Sequence, residues 1–271
     1  MTDTIKKYSL NQKQFHILML IYKFRFITIP LLTDYKNLKS NSLQRNLDIL
    51  LKEEYVYKRF NLTYKIDRKP AVYWLTAKGV AVFKGDPHFN PSILHSYYKN
   101  KSLSDEFIQH NIDTFTVYNS IRSSYKDKFE MFTKQEIANF TDFPETKPDI
   151  YLRGEKEYFV TLAHDMQSFL LKKRLSEYIT HSEEEGWGSS DYPTLLFVLK
   201  THANETRFLD FAKSTLDSAG ISSDELPIAT TTLRAINQSV QTSEIWTFVG
   251  ENMVPISLDR AFLRLAQDDR A

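Results

Sequence analysis

Three segments near the start of the chain carry apolar side chains at helical spacing. Residues 11–24 predict a helix, because their apolar positions recur at i, i+3, i+4 and i+7: Phe15, Leu18, Met19 and Tyr22. A shorter helix is predicted after Thr28, a suitable N-cap, with Pro30 near its first turn. Residues 40–54 predict a third helix, capped by Ser40. Its single apolar stripe consists of Leu43, Leu47, Leu50 and Leu51.

A hairpin is predicted after the third helix. Residues 55–60 alternate as in a strand, and residues 71–75 are the expected partner strand. The loop between them, residues 61–70, contains several basic side chains. A further short helix is predicted to begin at Thr76.

The rest of the chain alternates predicted helices with predicted strands. The helices cover residues 103–125, 166–181 and 205–219. The strands cover residues 129–132, 147–152, 158–162, 192–199 and 226–233, with a hairpin over 243–258. Such alternation is typical of a sheet covered by helices, so the predicted fold class is α/β (α+β overall) with a central mixed sheet in the second domain.

The composition excludes several kinds of site. The chain has 271 residues and no cysteine, which excludes disulfides, thiolate zinc sites and cysteine nucleophiles. Its 7 glycines form neither of the common phosphate-binding loop motifs. Its 7 histidines show no metal-ligand spacing, so no metal and no cofactor are expected.

Charge is unevenly distributed along the chain. The net charge is +1, yet residues 1–100 hold 17 Lys and Arg against 7 Asp and Glu, and the rest of the chain has a net charge of −9. The basic portion suits a polyanion, of which nucleic acid is the usual one. Residues 84–91 contain Gly85 and two prolines, which interrupt regular structure. We therefore predict a first domain over residues 1–85, a linker over 86–102 and a second domain over 103–271.

No apolar segment approaches the roughly 18 residues that a membrane-spanning helix needs. The longest run, residues 15–22, lies between Lys13 and Lys23, and the first seven residues lack the apolar core of a signal peptide. The sequence therefore predicts a cytoplasmic protein without a membrane partner.

Three helices followed by a basic hairpin resemble a winged helix-turn-helix domain. The segment Tyr73-Trp74-Leu75-Thr76-Ala77-Lys78-Gly79 is similar to the Y-x-L-T-x-K-G sequence that follows the wing in many such domains. The third helix would then read bases in the major groove, and the hairpin would contact phosphates. The expected DNA-contacting residues are Asn41, Ser42, Gln44, Arg45, Lys58, Arg59, Lys65, Arg68 and Lys69.

The second half resembles the PD-(D/E)XK nuclease core. Pro148-Asp149 precedes a predicted strand, as the first metal-binding acid does in that family. The family's second acid and its lysine correspond to Thr161 and Ala163, so neither is kept. The resemblance therefore implies a nuclease fold without its metal centre, since one carboxylate is a poor Mg²⁺ site.

A winged helix followed by such a nuclease-like core resembles the replication-relaxation family of plasmids and mobile elements. Pro148-Asp149 and the helix containing residues 172–178 match that family's second domain, whereas residues 160–163 lack its acidic pair. The resemblance implies DNA binding in plasmid replication, relaxation or transfer. We expect double-stranded DNA as the partner, a homodimer reading a two-part site, and a replication or transfer protein as a further partner. The second domain would serve dimerisation or docking rather than catalysis.

Three alternative functions remain open from the sequence. A metal-dependent relaxase or nuclease would use Mg²⁺ bound by Asp149, with Asp165 and Glu106 as relocated carboxylates. A regulator would bind a small molecule or a partner in the second domain. A protein-only adaptor would not bind DNA at all.

Overall fold

The computed structural model describes residues 8–36, 39–125, 128–184, 187, 191–238, 244–250 and 255–258. The chain divides into two compact units, Met1–Asn119 and Ser120–Ala271. Each contains helices and a sheet, which confirms the α/β class. Within the described ranges, no helix is long and apolar enough to cross a membrane.

The first unit begins with three helices: α1 (Gln12–Phe24), α2 (Ile29–Lys36) and α3 (Ser40–Lys52). The α1 helix begins with a capping box, in which the Asn11 side chain and Gln14 exchange hydrogen bonds of 2.9 Å. The predicted Ser40 cap is wrong, because Lys39 occupies the N-cap position without a side-chain hydrogen bond. The predicted stripe is otherwise confirmed, since Leu43, Leu47 and Leu50 are buried.

The first sheet has three antiparallel strands, β1 (Ile27–Thr28), β2 (Val56–Arg59) and β3 (Val72–Leu75), in the order β1-β3-β2. The predicted pairing of β2 with β3 is confirmed. Their connection contains a five-residue helix, α4 (Leu62–Ile66), capped by Asn61, where only a loop was expected. Thr76 caps α5 (Ala77–Ala81) by accepting a hydrogen bond from the Gly79 amide at 3.0 Å.

The predicted linker is packed into the first unit. It contains α6 (Pro91–Tyr97) and a 3₁₀ turn (Asn100–Ser102), followed by α7 (Asp105–Tyr125). The Tyr97 hydroxyl donates to the Tyr22 carbonyl at 2.6 Å, and Arg25 donates to the Asn100 side chain at 2.9 Å. The division between units falls inside α7 rather than in residues 86–102, because these buried contacts tie residues 86–102 to α1.

The second unit contains a seven-stranded mixed sheet in the order β10-β9-β8-β7-β6-β5-β4. Its strands are β4 (Glu130–Thr133), β5 (Ile150–Arg153), β6 (Tyr158–Leu162), β7 (Thr194–Leu199), β8 (Ile228–Thr232), β9 (Trp246–Phe248) and β10 (Pro255–Ile256). The central strands β6, β7 and β8 are parallel, and the other pairings are antiparallel. The predicted mixed sheet is therefore confirmed.

Two long helices make the parallel crossovers of this sheet, α8 (Ser168–Glu184) and α9 (His202–Ala219), and a short α10 (Leu233–Gln238) follows β8. Aromatic side chains of the sheet and of both helices form one buried core, for example Phe159, Tyr178, Phe197 and Phe208. Because both crossovers leave the same edge of the sheet, the first turns of α8 and α9 lie at the carboxyl ends of the parallel strands.

Candidate functional site

The outer face of α3 is the first candidate site. Its leucine stripe is buried in the first unit, so residues between the stripe positions are turned outward. Asn41, Ser42 and Arg45 are exposed, and Gln44 is half-buried. The Gln44 amide nitrogen donates to the Asp48 carboxylate at 2.6 Å. The Arg45 guanidinium makes no ion pair with any described residue.

A shallow groove follows this face of α3 over its whole length. Asn41, Arg45, Asp48 and Lys52 line it at positions i, i+4, i+7 and i+11. Lys52 was not among the predicted contact residues, although its helical spacing from Arg45 is a signal that the sequence contains. With Gln44, which also lines it, the groove has two amides, two cations and one carboxylate on a helix fixed by its opposite side.

The β2–β3 hairpin supplies a second group of cations. The Lys58 and Lys65 ammonium groups lie 5.9 and 5.7 Å from the centre of the Phe60 ring. Lys69 pairs with Asp67 at 3.3 Å, and Arg68 has a positive φ of 54° at the end of α4. All four basic side chains are exposed, so the hairpin presents a basic surface.

Arg59 differs from the other predicted contact residues. Its Nη2 lies 2.8 Å from Oδ1 of Asp105, at the start of α7, and its side chain is 28% exposed. The ion pair directs this guanidinium toward α7. Arg59 is therefore already neutralised within the first unit.

Asp149 is the residue at which the sequence predicts the first acid of a nuclease motif. Its backbone amide donates to the Val160 carbonyl at 3.0 Å, and its Oδ2 accepts from the Leu162 amide at 2.8 Å. The carboxylate therefore continues the hydrogen-bonded ladder between β5 and β6. One oxygen of the carboxylate is therefore already occupied by a hydrogen bond within the fold.

Thr161 is the residue that the nuclease resemblance predicted from the sequence puts at the second acid position. It is fully buried, and its Oγ1 lies 2.9 Å from the Tyr178 hydroxyl on α8. Nη1 of Arg174 lies 3.4 Å from the same hydroxyl and donates to the Lys147 carbonyl at 3.3 Å. Burial raises the pKa of Tyr178 above its usual value. The polar groups around Thr161 are thus its own hydroxyl, the Tyr178 hydroxyl and the Arg174 guanidinium. Ala163 occupies the position at which the nuclease resemblance expects a lysine.

The two other candidate carboxylates do not complete a metal site. Asp165 lies in the turn after β6 and is exposed. Glu106 lies in the first turn of α7, in the first unit, where hydrogen bonds from its backbone and Ser104 lower its pKa. Among the described residues, no three His, Asp or Glu side chains are grouped to hold a metal.

The donor set around Asp149 does not fit Mg²⁺. Magnesium prefers several oxygen ligands with carboxylates among them. Here one carboxylate oxygen accepts a backbone hydrogen bond, and Arg174 approaches Tyr178 beside it. We therefore derive no catalytic step through a metal at this position.

Comparison of the chain with protein-family models, with characterised proteins and with solved structures gave no match.

Proposed function

We propose that this protein binds double-stranded DNA, with α3 in the major groove and the β2–β3 hairpin beside it. The observation that supports this most directly is the outer face of α3. Asn41, Ser42 and Arg45 project from a helix that its buried leucines hold in place. Amide, hydroxyl and guanidinium groups are those that form hydrogen bonds with base edges and phosphates. The first unit would then be a winged helix-turn-helix domain.

The positive charge of the N-terminal portion favours a polyanionic partner for this surface. The first 100 residues have a net charge of +10. The hairpin cations are exposed: Lys58 lies on β2, and Lys65, Arg68 and Lys69 lie on its connection to β3. Lysine and arginine side chains in that position would contact backbone phosphates and hold the helix in register.

For the second unit we propose a nuclease-like fold that has lost its metal centre. The support is local: Thr161 replaces an acid and hydrogen-bonds to Tyr178, and Asp149 contributes to strand pairing. Such a unit would serve dimerisation or the docking of a replication or transfer protein, as the replication-relaxation resemblance implies. A homodimer would read a two-part site, since one recognition helix covers few base pairs.

The test is duplex affinity of the full chain as a function of salt. Fluorescence anisotropy would use a duplex selected from a randomised library. Arg45→Gln should weaken binding by about tenfold, the loss expected for one base-reading arginine. Lys65→Gln should reduce the slope of log affinity against log salt by about 0.9.

Lys84→Gln is the matched control, because Lys84 is exposed in the same unit but lies outside both surfaces. Its affinity should stay close to that of the wild type. The proposal fails when the wild type does not bind duplex at low salt, or when Arg45→Gln and Lys84→Gln bind equally.

The oligomeric state is measured separately by analytical ultracentrifugation of the full chain with and without the selected duplex. Two protein chains per duplex support a dimer on a two-part site. One chain per duplex at saturation contradicts it.

A further inference from the structure

The second unit contains a cavity at one edge of its sheet. Its volume is about 320 Å³, within the range of roughly 300–1,000 Å³ typical of small-molecule pockets. The walls come from the end of β7, from the residues that directly follow β6 and β7, and from the first two turns of α8 and the first three turns of α9. Asp149, Thr161, Tyr178 and Arg174 do not line it, whereas Ala163 and Asp165, which follow β6, do.

The strand register explains why these walls meet. In the parallel pair, Leu162 lies opposite Val198, and the Ala163 amide extends the ladder by donating to the Val198 carbonyl at 2.8 Å. Both strands therefore end at the same level. Ligands in sheets of this kind bind outside the carboxyl ends of the parallel strands.

Three cations converge on this cavity from three different elements: Lys172 of α8, Lys200 after β7 and Arg207 of α9. The Lys172 ammonium lies 4.6 Å from the centre of the Phe211 ring, which also lines the cavity. Lys200 and Arg207 make no ion pair with any residue that the structure describes. The convergence occurs in the acidic portion of the chain, where the net charge is −9.

Acidic side chains near the cavity do not balance these cations. Asp165 is the one carboxylate in the lining among the described residues. Glu205, in the first turn of α9, is buried, and its carboxylate accepts from Thr230 at 3.3 Å and contacts His202 at 3.2 Å. The cavity therefore has an excess of positive charge.

The remaining lining is suited to the organic part of a ligand. Leu199 and Phe208 are buried apolar side chains at its base, and Leu171 and Phe211 are partly buried beside them. The backbone amides of the first turns of two long helices, α8 and α9, add favourable potential for an anion. An anionic group and an apolar group could thus be bound together.

We infer that this cavity binds a small organic phosphate monoester, with its phosphate at Lys172, Lys200 and Arg207 and its organic part against Phe208 and Phe211. This site is independent of the proposed DNA interface, because none of its residues belongs to α3 or the β2–β3 hairpin. Arginine and lysine together with helix N-termini are the groups that bind phosphate in other proteins.

Isothermal titration calorimetry of the full chain tests the inference. The probes are AMP, ribose 5-phosphate and inorganic phosphate, with adenosine as the uncharged comparison. At least one phosphate probe should bind, and adenosine should bind at least about tenfold more weakly than AMP. Lys200→Gln and Arg207→Gln should each weaken the phosphate probe by at least about tenfold, because each removes a charge-assisted contact.

Lys213→Gln is the matched control, since Lys213 is exposed on α9 but outside the cavity. It should bind the probe as the wild type does. Lys200 and Arg207 are also exposed, so the variants should keep the wild-type thermal midpoint.

Two results overturn the inference. One is the absence of binding by every phosphate probe at millimolar concentration; if Arg207→Gln then also weakens duplex DNA binding, the cations are assigned to the DNA backbone. The other is phosphate binding that Lys200→Gln and Arg207→Gln leave unchanged. Failure of the wild type to bind any duplex leaves the calorimetric result unaffected, so this test is distinct from that of the DNA interface.

Discussion

Thr161 Oγ1 and the Tyr178 hydroxyl lie 2.9 Å apart in the core of the second unit, joining β6 to α8. Neither side chain is accessible to solvent. A glutamate at position 161 would bring a charge into this core, which is costly unless a cation or metal balances it. The hydroxyl pair keeps this part of the core neutral.

The hydroxyl pair predicts a coupled loss of stability. Tyr178→Phe should lower the free energy of unfolding by about 1–3 kcal/mol, because it leaves the buried Thr161 hydroxyl unsatisfied. Thr161→Val should also destabilise, and the double variant should lose less than the two single losses combined. Urea denaturation of the three variants measures the coupling, with the exposed Tyr98→Phe as control. Additive losses would contradict a direct interaction.

Alkaline pH should reduce the contribution of Tyr178 to the free energy of unfolding. Burial raises the pKa of its phenol above the ordinary value of about 10. Above that pH the unfolded chain releases the proton while the folded chain retains it, so the free energy of unfolding falls as pH rises. The stability difference between the wild type and Tyr178→Phe should therefore become smaller between about pH 9 and pH 11. A difference that stays constant over this range would contradict the raised pKa.

Asp149 is expected to stabilise the second unit without magnesium. Asp149→Ala should lower the free energy of unfolding by about 1–3 kcal/mol, because the Leu162 amide loses its acceptor. Thermal unfolding with and without Mg²⁺ should give the same midpoint for the wild type, whereas a bound ion would raise it. The exposed Asp142→Ala is the control, with a change within about 0.5 kcal/mol.

A magnesium-dependent rise of the midpoint in the wild type that Asp149→Ala abolishes would support the metal-dependent nuclease instead.

Releasing Arg59 should strengthen DNA binding. Asp105→Asn removes the partner at 2.8 Å and frees one cation on the β2–β3 hairpin. The slope of log affinity against log salt should become steeper by up to about 0.9, the contribution of one added phosphate contact. Stability should change by less than about 1 kcal/mol, since the pair is partly exposed.

Glu106→Gln is the matched control for this charge change. It removes a carboxylate from the next position of α7, yet it leaves the Arg59–Asp105 pair in place. Equal salt slopes for the two variants would show that only the overall charge matters.

Gly79 has a steric role at the start of α5. A Cβ there would lie 2.2 Å from the Tyr55 carbonyl oxygen. Gly79→Ala should therefore lower the free energy of unfolding by about 1–3 kcal/mol or more, as other overpacked sites do. Gly250→Ala, which meets no atom within 4 Å, is the control in the same thermal measurement. Equal stability of both variants would contradict the close approach of α5 to the Tyr55 carbonyl.

The predicted elements of the first unit agree well with the structure, since each has a repeating pattern. Residues 11–24 were expected to be helical, and α1 covers Gln12–Phe24. The α4 helix was missed because it has only five residues and one buried side chain, Tyr64, so no apolar period can form. Residues 86–102 differ from the predicted linker for another reason. Gly85 and the prolines indicate a break, whereas the burial of Phe89 and Tyr97 depends on tertiary packing.

The candidate sites also differ in whether a local sequence pattern or only tertiary packing brings their residues together. The outer face of α3 follows from helical spacing alone, which is why Arg45 and its neighbours could be chosen from the sequence. The cavity in the second unit could not be, because Lys172, Lys200 and Arg207 belong to three elements and share no local pattern. Only the parallel pairing of β6 and β7 brings them to one place.

The packing of α7 against the first unit determines where an N-terminal fragment of the protein can end. The Phe24 ring stacks on the Phe115 ring of this helix, with 3.7 Å between the ring centres. Phe26 packs with Ile108 in the same unit. A fragment that ends at residue 85 or 102 would leave these apolar side chains in water and would be prone to aggregation. A separately expressed N-terminal fragment must therefore continue at least to Asn119.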